Sequence, residues 1–169
     1  MADKIILIGF MGSGKTSVGK LIAKRYQGYK FIDSDEEIES IAGKSINEIF
    51  EDEGEEGFRR RERDFLIRLC DTSDKIILST GGGMPCYKGN DELLKKAGFT
   101  VYLSAKPETI YNRVKNDTSR PLLNVEDKLA KIKELLFIRD ELYRKAAKVI
   151  IETDGKHLND IVDEIMGNE

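Results

Sequence analysis

Four aliphatic residues, Ile5-Ile6-Leu7-Ile8, run directly into Gly9-Phe10-Met11-Gly12-Ser13-Gly14-Lys15-Thr16. That junction restricts the chain more than any other feature. An unbroken β-branched and aliphatic run reads as a strand buried on both faces. Beyond the glycines, Val18, Leu21 and Ile22 recur at helical spacing, with Lys20, Lys24 and Arg25 on the other side. The loop between them matches G-x-x-x-x-G-K-[ST] and has the strand before it and the helix behind it that this motif needs. Its glycines let backbone amides turn inward onto phosphate oxygens. A helix starting near Gly14 adds the positive end of its dipole. Gly12, Ser13, Gly14, Lys15, Thr16 and Ser17 are therefore the expected nucleotide contacts. Lys15 would span the β- and γ-phosphates, and the Thr16 hydroxyl would ligate Mg²⁺. The motif specifies a nucleoside triphosphate and is silent about what accepts the phosphate.

Similar apolar runs follow: Phe31-Ile32 before Asp33, Ile76-Ile77-Leu78 before Ser79-Thr80-Gly81, Val101-Tyr102-Leu103, and Val149-Ile150-Ile151. Helical segments lie between them. Ser45-Ile46-Asn47-Glu48 is a capping box. Phe58, Glu62, Phe65, Leu66 and Leu69 trace an amphipathic helix that Phe58-Arg59-Arg60-Arg61-Glu62-Arg63 is expected to begin. Asn90 is expected as an N-cap and Pro107 as a first helical residue. Leu129, Ile132, Leu135, Leu136, Ile138 and Leu142 mark the apolar side of a long helix running to about Ala147. Strands alternating with helices predict an α/β fold, a parallel sheet covered on both faces, with ligands at the carboxyl ends of its strands.

The 169 residues fit one domain, 1–169, without internal repeats. With 28 Lys and Arg against 31 Asp and Glu, the net charge of −3 argues against a broad nucleic-acid platform, so no nucleic-acid partner is expected. It leaves room for a local anion site. No apolar stretch is long enough to span a membrane and the first residues show no targeting signal, so no membrane partner is expected. Cys70 and Cys86 are too few for a disulfide framework and lack metal-ligand spacing. A reducing, cytoplasmic location is the simplest expectation.

Several other features are expected at the same edge of the sheet. Asp33 and Asp35 end the second strand two residues apart, a spacing that can face one side while strand geometry lasts. They read equally as partners of a metal and an acceptor hydroxyl or as the solvated start of an acidic helix continuing through Glu36, Glu37 and Glu39. Gly81-Gly82-Gly83 follows the third strand, where bare amides can approach a ligand or simply form a flexible loop. Of the arginines from Arg59 to Arg63, most should pair with surface Glu, while one or two pointing inward would need an anion. Arg120-Pro121-Leu122-Leu123 lies in a polar stretch that reads as a lid over about 114–126 or as an ordinary surface loop. Arg139 could belong to the same site or to a solvated helix face. His157, the sole histidine, is read as a surface residue.

Taken in order and spacing, these segments resemble the shikimate kinase family, small kinases of aromatic amino-acid biosynthesis. The residues carrying the resemblance are the phosphate loop, Asp33-Ser34-Asp35, Phe58-Arg59-Arg60 with Glu62, Gly81-Gly82-Gly83, Arg120-Pro121-Leu122-Leu123, and Arg139 ahead of Leu142-Tyr143-Arg144. The resemblance implies a five-stranded parallel sheet in order 2-3-1-4-5, a substrate-binding region at about 34–62 and a mobile lid. It implies transfer from ATP, with Mg²⁺, to the 3-hydroxyl of shikimate by a monomer. Asp35 would bind the attacking hydroxyl. Arg59 and Arg139 would hold the carboxylate beside the Gly81, Gly82 and Gly83 amides. Asp33 would bind Mg²⁺ through water, Arg120 would reach the transferring phosphoryl group, and Arg113 would stack on adenine. Phe50 and Phe58 would form apolar walls. Thr153-Asp154-Gly155-Lys156-His157 lacks the proline often found there in the family. A gluconate or nucleoside-monophosphate kinase would need a different acceptor clamp. A GTP switch would need an Asn-Lys-x-Asp motif that this sequence does not contain. A non-catalytic relative would have little use for Lys15, Thr16, Asp35 and Arg120 together.

Overall fold

The structure is a computed structural model and describes residues 2–118 and 121–169. Its strands are β1 (Lys4–Ile8), β2 (Lys30–Asp33), β3 (Ile76–Ser79), β4 (Phe99–Ser104) and β5 (Val149–Glu152). They form one parallel sheet in the order β2-β3-β1-β4-β5, as the family resemblance implies. β1 is central because Ile5, Ile6, Leu7 and Ile8 can all be buried at once only between covered faces. All four are fully buried.

Strand alternation sorts them between two cores. Ile6 and Ile8 join one apolar cluster with side chains from α3 (Ile46–Asp71), α4 (Asn90–Ala97) and α6 (Lys128–Ala146). Ile5 and Leu7 join another with α1 (Lys15–Arg25) and α7 (Leu158–Asn168). Two further helices, α2 (Ser34–Ala42) and α5 (Pro107–Val114), complete the fold.

Three local expectations need correction. The arginine run follows a helix start by a few residues instead of opening it: α3 is two helices joined across a kink at Gly54, and the run stands near the start of the second. α3 starts at Ile46 on the Ser45–Glu48 capping box and is broken at Gly54, where φ 69° and ψ −177° are not helical. Arg61 binds Glu53 across that break at 3.0 and 2.7 Å. Asn90 is not an N-cap: Gly89 holds that position, and the buried Asn90 side chain donates to the Met84 carbonyl at 2.9 Å. Ile138 is 58% exposed, because at about 100° per residue the buried stripe of α6 follows Ile132, Leu136, Tyr143 and Ala146 instead. Pro107 does open α5, and exposed His157 directly precedes α7.

Candidate active site

The phosphate loop leaves β1 and enters α1 through Gly14, whose φ of 98° suits glycine and which has no side chain to cap the helix. The first amides of α1, including those of Thr16 and Ser17, are thereby left for an incoming anion. Gly12, at φ 76°, packs against α5 so closely that a Cβ would lie 2.6 Å from Val114 Cγ1. Lys15 folds back over the loop, and its ammonium donates to the Gly9 and Phe10 carbonyls at 2.8 and 3.0 Å.

A cleft of about 410 Å³ brings together Gly12, Gly14, Lys15, Thr16, Ser17, Asp33, Asp35, Gly81, Gly82 and Arg113. Ser13 does not line it. Its Oγ is buried near Gly9, so the backbone is what this residue can offer a phosphate. Arg113 donates to the Gly12 carbonyl at 3.1 Å. The 153–155 turn lies near α5, with Thr153 bonded to the Ser104 carbonyl and Asp154 accepting from the Lys106 amide at 3.0 Å. Arg120 lies outside the described residues.

Asp33 and Asp35 share the cleft, but not through strand alternation. β2 ends at Asp33, whose Oδ1 accepts from the Asp35 amide at 3.0 Å and caps α2 at once. Asp35 therefore projects from a first helical turn. Burial raises its carboxyl above the ordinary range; Asp33 adds to the rise and Lys15 opposes it. Among the described residues, Asp35 Oδ1 and Glu62 Oε1 are buried with no hydrogen-bond partner. A Cβ on Gly81 would lie 2.8 Å from the first and 3.4 Å from the second. Two unpartnered acceptors around one bare glycine make a place for ligand hydroxyls.

The cations stand beside them. Arg59 donates to Glu62 Oε2 at 2.6 Å, and its guanidinium lies 5.5 Å from the Phe58 ring. A Cβ on Gly83 would be only 2.4 Å from Arg59 Nη2, so this glycine is the floor on which the guanidinium rests. Arg139 lies 5.8 Å from the Phe10 ring, with Nη1 3.6 Å from where a Gly82 Cβ would stand. Of the two expected apolar walls, Phe58 is buried, whereas Phe50, 5.0 Å from it between ring centroids, is 39% exposed.

The comparisons with known proteins fall on this arrangement. A sequence model described as shikimate kinase matches residues 11–168. The shikimate kinase of Neisseria gonorrhoeae is 49% identical over 150 residues, 89% of this chain and 87% of that one. That of Symbiobacterium thermophilum is 44% identical over 164 residues, 96% and 93% respectively. The chain belongs to the shikimate kinase family. A structure of the Acinetobacter baumannii shikimate kinase in complex with shikimate is similar at 43% identity and a TM-score of 0.88, covering 98% of this chain and 91% of that one. A gluconokinase from Sinorhizobium meliloti, 21% identical with a TM-score of 0.59 and covering 97% and 89%, shares the fold alone.

Four residues of this shikimate kinase family member take parts that sequence reading did not assign. Ser79 Oγ, at the end of β3, lies 3.3 Å from Thr16 Oγ1. Buried Ser34 accepts the Gly81 amide at 2.9 Å and ties the glycine triplet to α2. Tyr143 holds Gly82. Glu62 is a fully buried acid rather than one more surface partner.

Burial pushes the Glu62 carboxyl from 4.5 up to about 7, with Arg59 opposing and Asp35 adding to the rise. Across that interval the folded chain binds more of this proton than the unfolded chain, so stability falls as pH rises from about 4.5 to 7 and then levels. The whole change is at most ~3 kcal/mol. The stability of the native chain minus that of Glu62→Gln, measured by denaturant titration, is expected to decline through this window. A difference that stays constant would show that Glu62 is ionised throughout.

Proposed function

We propose that this chain phosphorylates shikimate at its 3-hydroxyl with ATP, giving shikimate 3-phosphate and ADP, as a cytoplasmic monomer serving chorismate and aromatic amino-acid synthesis. The observation that carries the reading is the unpartnered, buried Asp35 Oδ1 facing the cleft of Lys15. A carboxylate kept from water and lacking a donor is suited to take a hydrogen bond from an attacking hydroxyl. Arg59 lies against Gly83 and Arg139 beside Gly82, and both guanidinia would match a carboxylate as planar forks. Lys15 would exchange its loop carbonyls for phosphate oxygens, with the α1 N-terminus behind them. Cys70 and Cys86 are both free thiols. No helix among the described residues is long and apolar enough to cross a membrane.

The residues present fit Mg²⁺. Thr16 and Asp33 offer hard oxygen donors in one cleft, and no group of three or more His, Cys, Asp or Glu among the described residues could hold a metal alone. Mg²⁺ favours such a site, keeping waters and phosphate oxygens as its other ligands. When bound it would neutralise charge on the phosphates. The segment 114–126 is read as the lid: Lys128 holds its near end through the Lys115 and Asp117 carbonyls, Leu123 is buried in the core, and Arg120 would act from between.

ADP release measured over shikimate, gluconate and nucleoside monophosphates tests the reading, and no turnover with shikimate would end it. Arg139→Ala is expected to raise the shikimate KM by roughly 10–100-fold, as loss of a charge-assisted pair should. An unchanged KM would remove Arg139 from the clamp. Gly83→Ala is expected to fold, because the group it displaces is the end of a flexible side chain. Its displaced Arg59 should raise the shikimate KM roughly tenfold or more while Tm moves by a few degrees. A fall in Tm with KM intact would mean that the glycine serves packing alone.

A further inference from the structure

We infer that Tyr143 is a positioning residue for the acceptor end of the site, setting the direction of the Gly82–Gly83 peptide and its spacing from Arg139. The inference rests on the proposed phosphorylation of shikimate. Tyr143 is fully buried on α6, and its hydroxyl donates to the Gly82 carbonyl at 2.7 Å. No described peptide bond is cis, so the Gly82 C=O and the Gly83 N–H lie in one plane and point opposite ways. A donor that holds the carbonyl toward α6 therefore turns the Gly83 amide away from it.

Such a hold is needed here. The glycines on either side of this peptide carry no side chain that would resist its rotation. The Cys86 thiol reaches the same oxygen at 3.9 Å, but a thiol is a weak donor. Tyr143 follows Arg139 by four residues, so both leave the same face of α6. One helix face thus carries a proposed carboxylate-binding cation and the hydroxyl that fixes the peptide beside it. Burial holds the Tyr143 phenol well above its ordinary range, which keeps it a donor.

The helix is held separately. The Tyr102 ring packs against Tyr143 at 5.1 Å between centroids, and the Tyr102 hydroxyl donates to Asp140 Oδ1 at 2.8 Å. Asp140 Oδ2 accepts from Arg144 Nε at 2.6 Å. Tyr102→Phe therefore removes from β4 a hydroxyl of the same ring pair, one bonded to the same helix, without touching the glycine triplet.

Tyr143→Phe is expected to raise the shikimate KM about tenfold, the worth of one buried hydrogen bond, with the ATP KM within about twofold. Tyr102→Phe should lower Tm comparably and leave both KM values within about twofold. A p-aminophenylalanine at position 143, which restores a donor, should return the shikimate KM toward the native value, and it provides the folded comparison if Tyr143→Phe is unstable. The inference is overturned if Tyr143→Phe leaves the shikimate KM within twofold, if Tyr102→Phe raises it equally, or if the restored donor does not lower it. A native chain that does not phosphorylate shikimate overturns the proposed function and this inference together, whereas native turnover with an indifferent Tyr143→Phe overturns the inference alone.

Discussion

Asp35→Asn is expected to lower kcat by roughly 10²–10⁴-fold, the range in which a positioned acid–base group acts, while the ATP KM stays within a few-fold. The substitution is close to isosteric, which matters in so tight a place: a Gly81 Cβ would already be only 2.8 Å from Asp35 Oδ1. The start of α2 should survive, because the cap uses the Asp35 backbone amide and the Asp33 side chain. What is lost is the carboxylate that would take the proton, or orient the hydroxyl, of the acceptor. An amide of the same size can still accept one hydrogen bond, but it is a far poorer base. Steady-state kinetics with each substrate varied, together with nucleotide-binding calorimetry, distinguish this outcome from misfolding. Turnover retained within about tenfold would remove Asp35 from the chemistry.

The second large effect is expected at Lys15. Lys15→Met keeps much of the apolar stem and removes the ammonium that would bridge the transferring phosphates. Such electrostatic contacts commonly contribute about 10²–10³-fold to kcat each, and here the ATP KM should rise as well. The ammonium also donates to the Gly9 and Phe10 carbonyls, so the variant loses contacts within the loop as well. Phe10 keeps its hydrogen bond from the Ser13 amide at 3.1 Å, which argues for a modest fall in Tm beside a large fall in kcat. A variant with near-native kcat and a large fall in Tm would assign Lys15 to loop structure instead.

The fold was legible because strands buried on both faces have to be written as apolar runs, and Ile5–Ile8, Ile76–Leu78 and Val101–Leu103 could hardly be anything else. The phosphate loop was legible because backbone shape and charge demand particular residues at particular spacings. Burial within a charged helix was not. Glu62 falls at helical spacing on the stripe of Phe58, Phe65, Leu66 and Leu69, but nothing in the sequence says that its carboxyl is fully buried or that Arg59, among equally charged neighbours, turns inward to it. Ile138 failed in the opposite direction, since an apolar residue beside exposed Phe137 can be read into the wrong stripe by one step of the helix. Asn90 has a side chain suited to capping, but the buried Met84 carbonyl claims it. Tyr143 and Ser34 act on backbone groups of the glycine triplet, contacts made between distant segments that leave no local pattern. The proposed roles of Arg59 and Arg139 come from family order, whereas their seating on Gly83 and beside Gly82 could not be read from it.

The division of the apolar interior has a mechanical consequence. Each face of the sheet has its own cluster: α1 is backed by Val18 and Ile22 on one side, while Phe10 of the phosphate loop belongs to the other. The helices bearing Arg59 and Arg139 are backed by Phe65, Leu66, Ile132 and Leu136 on the other. A stiff sheet lies between these two cushions. Phe10 lies on the Arg139 side of that divide, so a change of side-chain volume around it would be felt by the phosphate loop and by the helix carrying Arg139 together.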